Sequence, residues 1–295
     1  MADSIFKGAA TALVTPMKNG EVDFDALAKL VNWQIENGID GLVAAGTTGE
    51  GSTLTTEEHI EVVRVVAKAA AGRVPVVAGT GSNDTAYAIE LSNDAIKVGA
   101  DALLLVTPYY NKATQAGLIK MYKLIAENVT APIILYNVPS RTGVNIEPST
   151  YAALADTPNI VAIKEACGNI SKIVETMSLV SGKLDLYSGN DDQIVPLMSL
   201  GGIGVISVLS NILPRETSEM CHAYLRGDTK KALAMQFKYH KLIDSLFSEV
   251  NPIPVKAATY RMGFGDGSIR SPLTEMTPEK EAVMLAYMRE AGINV

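Results

Sequence analysis

Eight short apolar runs recur along the chain, and each is followed by a helix-like stretch. The runs are AATALVT (9–15), GLVAAG (41–46), VPVVAG (74–79), ALLLVTP (102–108), PIILYN (132–137), IVAIKE (160–165), DLYSG (185–189) and IGVISV (203–208). They are close to continuously apolar. Strands of that kind are covered on both faces, as parallel strands are when helices connect them. Eight β-then-α units are the number that closes a (β/α)8 barrel. The rival is a doubly wound open sheet. Its usual mark, a GxGxxG turn after the first strand, is missing. GFGDG, near residue 265, reads as a loop.

The connecting stretches support helices. In FDALAKLVNWQIENG (24–38), Leu27, Leu30, Val31 and Ile35 fall on one face. Thr55 and Glu58 form a capping pattern ahead of HIEVVRVVAKAAAG, and Gly72 ends that segment. Past Gly227 the alternation stops. Residues 228–247, 252–263 and 278–292 all read as helices. The expected division is a barrel over residues 1–227 and a helical C-terminal domain over 228–295.

At 295 residues the chain is long for a typical domain but suits a barrel with an extension. With 47% hydrophobic and 19% charged residues, a large core can form. The net charge of -7 leaves no basic stripe for nucleic acid or an anionic membrane. MADSIFKGAATALVTP lacks the pattern of a signal peptide, and no run is long enough to span a bilayer. Cys167 and Cys221 are too few for a disulfide scaffold. A cytoplasmic protein is expected.

In a barrel the chemistry gathers at the C-terminal ends of the strands. Just past the runs stand Gly46-Thr47-Thr48-Gly49-Glu50, then Tyr109, Tyr110 and Asn111, then Tyr136, Asn137 and Arg141. Lys164 ends the sixth run, Ser188-Gly189-Asn190-Asp191 follow the seventh, and Ile206 and Ser207 lie in the eighth. Hydroxyls, phenols, one lysine and one arginine would share one mouth, with no histidine.

Lys164 is the unusual member. One reading is an ion-paired structural lysine. Its neighbour Glu165 is a poor partner, because adjacent strand residues point to opposite faces. The other reading is chemical. Burial favours the neutral amine, and a neutral amine attacks a ketone to form a Schiff base, as in class I aldolases. Such chemistry needs a proton donor and acceptor, and Tyr136 and Tyr110 are candidates with Thr47 between them. Each tyrosine taken singly reads equally as a packed aromatic. GTTGE lacks the lysine of a phosphate loop, but its backbone N–H groups and the Thr48 hydroxyl suit a small carboxylate. Arg141 suits a second one through a bidentate contact. His59, His222 and His240 lack metal-ligand spacing, and Cys167 has no evident base.

GTTGE (46–50), TPYYNK (107–112), YNVPSRTG (136–143), AIKEACGN (162–169), SGND (188–191), GGIGVISV (201–208) and NPIPVK (251–256) together resemble the dihydrodipicolinate synthase family, from about residue 5 to 293. The resemblance implies a (β/α)8 barrel with a C-terminal helical region, usually a homotetramer, that uses no metal or cofactor. It implies condensation of pyruvate with aspartate 4-semialdehyde through a lysine Schiff base. By the same resemblance Lys164 is the Schiff-base residue and Tyr136 the proton donor and acceptor. Thr47 and Tyr110 form the relay, with Tyr110 reaching into a neighbouring subunit's site. Thr48 and the backbone at Ile206 would hold the pyruvate carboxylate, Gly189 would line the pocket, and Arg141 would take the carboxylate of the semialdehyde.

The resemblance also points to an effector site at Asn83, His59 and Tyr109. Lysine-inhibited members carry a carboxylate where this chain has Tyr87 and a histidine where it has Thr56. Weak or absent inhibition by lysine is therefore expected. Two rivals stand beside this reading. One is a related pyruvate aldolase, such as an N-acetylneuraminate lyase or a keto-deoxy sugar acid aldolase, for which Arg141 would have less use. The other is a barrel that kept the fold and lost the reaction.

Overall fold

Strand β1 (Gly8–Ala12) hydrogen-bonds to two others, the last barrel strand in the chain and the first that follows it, and that pairing closes the barrel. The structure is a computed structural model and describes residues 4–295. The first three residues of the segment read above as lacking a leader lie outside the described residues. A small antiparallel hairpin of β2 (Met17–Lys18) and β3 (Glu21–Val22) follows β1. The remaining barrel strands are β4 (Gly41–Ala44), β5 (Val76–Gly79), β6 (Ala102–Val106), β7 (Ile133–Asn137), β8 (Ile160–Glu165), β9 (Asp185–Ser188) and β10 (Gly204–Ser207). All barrel pairs are parallel, and they run in chain order around the ring. Each of the eight apolar runs supplies one strand, so the open-sheet alternative is set aside.

The helices are α1 (Phe24–Glu36), α2 (Thr56–Ala70), α3 (Thr85–Lys97), α4 (Gln115–Asn128), α5 (Pro139–Thr142), α6 (Pro148–Leu154), α7 (Ile170–Val180), α8 (Ile194–Ser199) and α9 (Pro214–Leu225). They shield the outer face of the strands. In α1, Leu27, Leu30 and Val31 are buried as their spacing predicts, while Ile35 is only partly covered. In α2 the capping box forms: the Glu58 N–H donates to Thr55 Oγ1, and the Thr55 N–H donates to Glu58.

Alternate strand residues separate into two cores. Ala10, Val43, Val77, Leu104, Ile134, Tyr136, Ala162, Tyr187 and Ile206 fill the lumen. Their neighbours Leu42, Leu103, Leu135, Ile163 and Leu186 pack outward on the helices. Lys164 lies two residues after Ala162, so the strand period turns it inward. Glu165 turns outward. There its carboxylate accepts from Asn137 Nδ2 (3.0 Å), the Tyr151 hydroxyl (3.1 Å) and the Cys167 N–H (2.8 Å).

Beyond the barrel come α10 (Thr229–Leu246), α11 (Ile253–Arg261) and α12 (Pro278–Glu290), close to the three helical stretches expected. These helices are tied to the strand ends. Gln236 of α10 donates to the Asp191 carbonyl (2.8 Å) and accepts from the Val195 N–H (3.2 Å). Lys256 of α11 is ion-paired with Glu50 in the turn after β4, and both side chains are buried. Arg270 donates its backbone N–H to Glu50 (3.0 Å) and grips Glu58 through both terminal nitrogens at 2.6 Å.

Candidate active site

The register of β7 against β8 places Tyr136 beside Lys164. Lys164 Nζ stands 4.1 Å from the centre of the Tyr136 ring. The lysine is 6% exposed and has no ion-pair partner among the described residues. Burial pushes its amine down to about 7; the Asp191 charge opposes that shift and the Arg141 charge adds to it. A substantial neutral fraction therefore exists at neutral pH. That is what a nucleophilic amine requires.

Burial pushes the Tyr136 phenol the other way, up to about 12, while the Arg141 charge and a hydrogen bond with Thr47 hold it down. Free of substrate, the phenol is a proton donor rather than a base. Gly189 follows β9 and leaves room for the lysine stem. A Cβ there would lie 3.2 Å from Lys164 Cε and 2.8 Å from the Ala166 Cβ.

The carboxylate-binding candidates sit on three different elements. Thr48 is buried in the turn after β4, where Asn251 Nδ2 donates to its hydroxyl oxygen at 3.0 Å. Ile206 is buried on β10, paired with Ala10 of β1. Arg141 is exposed on α5, and its Nη2 donates to the Asn251 carbonyl at 3.1 Å. Its charge acts on both Lys164 and Tyr136, which places it at the same mouth.

Tyr110 departs from the local reading that set it against Tyr136 with Thr47 between. Its side chain is 93% exposed, and no hydrogen bond joins it to either residue. Its backbone has φ +70°, a left-handed conformation unfavourable for a bulky residue.

The sequence marks Asp191 only as one residue of the SGND stretch. It is fully enclosed, and its Oδ2 accepts from the Val208 and Leu209 N–H groups, each at 2.9 Å. It therefore fixes the loop that follows Ile206 and Ser207. The sequence marks Asn251 only as the first residue of the NPIPVK block. No local pattern announces its contact with Thr48.

The effector candidates are partly joined. Asn83 donates to the Tyr109 carbonyl (3.2 Å), and its own carbonyl accepts from Asn111 (2.9 Å). His59 is buried in α2 and bonds to neither of them. Thr56 and Tyr87 share a hydrogen bond of 2.9 Å between their hydroxyls. Among the described residues no group of three or more His, Cys, Asp or Glu is placed to hold a metal ion. Burial and the Glu165 charge push the Cys167 thiol up to about 12, so it is not a ready nucleophile.

Residues 5–291 match the model of the dihydrodipicolinate synthetase family. The chain is 55% identical over 292 residues to the 4-hydroxy-tetrahydrodipicolinate synthase of Lachnoclostridium phytofermentans, covering 98% of this chain and 99% of the relative. Among solved structures it resembles the chloride-inhibited dihydrodipicolinate synthase of Acinetobacter baumannii complexed with pyruvate. There the identity is 47% and the TM-score 0.95, over 98% of this chain and 99% of the other. It also resembles the enzyme of Cyanidioschyzon merolae with lysine bound, at 41% identity and TM-score 0.96, over 99% and 100%.

Proposed function

The chain belongs to the dihydrodipicolinate synthetase family, and on that premise we propose that Lys164 is the residue through which it acts. The protein is a 4-hydroxy-tetrahydrodipicolinate synthase, a lyase-class enzyme of lysine and diaminopimelate biosynthesis. It condenses pyruvate with aspartate 4-semialdehyde. The similar proteins described above do not favour the sugar-acid aldolase and non-catalytic readings.

The single observation that carries the residue assignment is an inward-facing, unpaired lysine whose amine is pushed down to about 7. Its neutral nitrogen attacks the pyruvate ketone. Tyr136 gives a proton to the departing oxygen, water leaves, and a protonated imine remains. Loss of a proton from the pyruvate methyl gives an enamine, with Tyr136 and Thr47 carrying that proton. The enamine carbon bonds to the aldehyde carbon of the second substrate, and the aldehyde oxygen takes up the proton that Tyr136 carries. The substrate amine then attacks the imine carbon, closes the ring and frees Lys164. Thr48 and the backbone at Ile206 hold the pyruvate carboxylate. Gly189 keeps space for the lysine stem, and Arg141 holds the carboxylate of the semialdehyde.

The fully exposed phenol of Tyr110 supports a role in a second chain's relay, and hence an assembly, for which we propose a homotetramer. Among the described residues no strand follows Ser207, which supports dividing the chain into a barrel (1–227) and a helical domain (228–295). No described helix is long and apolar enough to cross a membrane, and we place the enzyme in the cytoplasm with its pathway.

Lysine is expected to inhibit weakly or not at all. Thr56 and Tyr87 satisfy each other, and neither supplies a charge for an ammonium group. The missing charged acceptor is worth on the order of 1.5–3 kcal/mol. Clear inhibition at submillimolar lysine, about −4 kcal/mol of binding or tighter, contradicts this. The primary test is borohydride reduction of the enzyme with pyruvate, followed by peptide mass spectrometry. The adduct is expected on Lys164, with ring formation once the semialdehyde is added. An adduct on another residue, or none, overturns the assignment.

A further inference from the structure

We propose that Asn251 is a positioning residue that sets the polarity of the Thr48 hydroxyl. The proposal rests on the reading of Thr48 as a holder of the pyruvate carboxylate. Asn251 lies just before α11, far along the chain from Thr48 and Arg141, yet it touches both of these carboxylate-binding candidates. Its side-chain Nδ2 donates to Thr48 Oγ1 at 3.0 Å, and its main-chain carbonyl accepts from Arg141 Nη2 at 3.1 Å. The residue is 6% exposed, so water does not compete for these bonds.

The chemistry follows from what each group can offer. An amide N–H only donates. A hydroxyl that accepts from it keeps its own hydrogen for another acceptor. No acceptor for the Thr48 hydrogen occurs among the described residues, so that hydrogen is left for a ligand oxygen. A keto-acid carboxylate, which only accepts, is the complementary group. The arrangement carries a cost: Asn251 Oδ1 is buried without a partner. A buried amide oxygen left unsatisfied is unfavourable. An amide turned the other way would draw the Thr48 hydrogen inward and leave oxygen lone pairs facing the carboxylate.

The experiment reverses that polarity. Asn251→Asp presents only acceptors, so Thr48 must donate inward, whereas Asn251→Ala removes the partner without reversing it. Borohydride trapping on Lys164 is measured against concentration for pyruvate and for acetone, a ketone without a carboxylate. With half-saturation taken relative to acetone, Asn251→Asp is expected to weaken pyruvate by about tenfold or more. Asn251→Ala is expected to weaken it by about threefold. In a Thr48→Val background the excess of Asp over Ala should shrink by at least about threefold, because the hydroxyl that transmits it is gone.

Equal effects of Asp and Ala overturn the proposal, and so does an excess that persists unchanged without the hydroxyl. If Asn251→Asp does not fold, Asn251→Ala decides alone, and an unchanged pyruvate-to-acetone ratio overturns the role. Failure of wild-type enzyme to form a Lys164 adduct removes the underlying site reading together with the proposal. A normal wild-type adduct combined with either adverse result removes only Asn251.

Discussion

Two lysines are buried in this molecule, and they live differently. Lys256 is ion-paired with Glu50, whose other oxygen takes the Arg270 N–H. Lys164 sits in the barrel lumen without an ion-pair partner among the described residues. Burial pushes both amines down from the ordinary lysine value. At Lys256 a carboxylate in contact pulls back, and at Lys164 Asp191 does so only through space. The paired lysine is a structural clamp between the C-terminal helices and the turn after β4. The unpaired one can lose its proton near neutral pH. Burial alone is therefore not the mark of a reactive lysine; burial without a contacting counter-charge is.

Replacing each lysine by methionine tests this contrast most severely. Lys164→Met is expected to lower turnover by on the order of 10³-fold or more, with no trapped adduct. It should also stabilise the protein. The folded amine titrates at about 7 against 10.5 for a free lysine. The folded state thus binds fewer protons than the unfolded state between those values. The cost of burying this lysine is therefore full below pH 7 and disappears as pH rises toward 10.5, at about 1.4 kcal/mol per pH unit. Melting curves should show the variant's advantage at pH 6 shrinking by pH 10. An advantage independent of pH would mean that Lys164 is not held neutral.

Lys256→Met should do the opposite, leaving Glu50 buried and alone at a cost of about 3–5 kcal/mol. Denaturant titration checks this, and adding Glu50→Leu should restore much of the loss. If Lys256→Met instead abolishes trapping in a fully folded protein, the division into clamp and nucleophile fails. Tyr136→Phe comes next, with an expected loss of about 10²-fold in turnover and little change in stability. Smallest is the pH effect on trapping itself. The rate should fall about tenfold per pH unit below pH 7 and level off above it. A profile that keeps rising toward pH 10 would assign Lys164 the ordinary basicity of a surface amine.

The barrel was legible because its strands are covered on both faces, so each is written as an unbroken apolar run. Lys164 stood out against that background, and the strand period alone predicted that Glu165 would turn away from it. The β2–β3 hairpin was missed, although Asn19-Gly20 between Lys18 and Glu21 is a strong hairpin signal and both residues have positive φ. Its strands are too short to show a period. Asn251, Lys256 and Asp191 were hidden for another reason. Each acts on residues distant in the chain, and no local periodicity records such a contact. Tyr110 shows a further limit: its place in a relay depends on a neighbouring chain, and one chain's sequence records no contact between chains.

The bond between the C-terminal helices and the β4 turn also orders events during synthesis. All eight barrel strands have been made once Ser207 is added, yet Asn251, Lys256 and Arg270 have still to follow. Until they arrive, Glu50 has no cation and the Thr48 hydroxyl no fixed direction. A chain released early lacks the ties from Asn251, Lys256 and Arg270 to the β4 turn and is expected to be less stable, which exposes it to proteases.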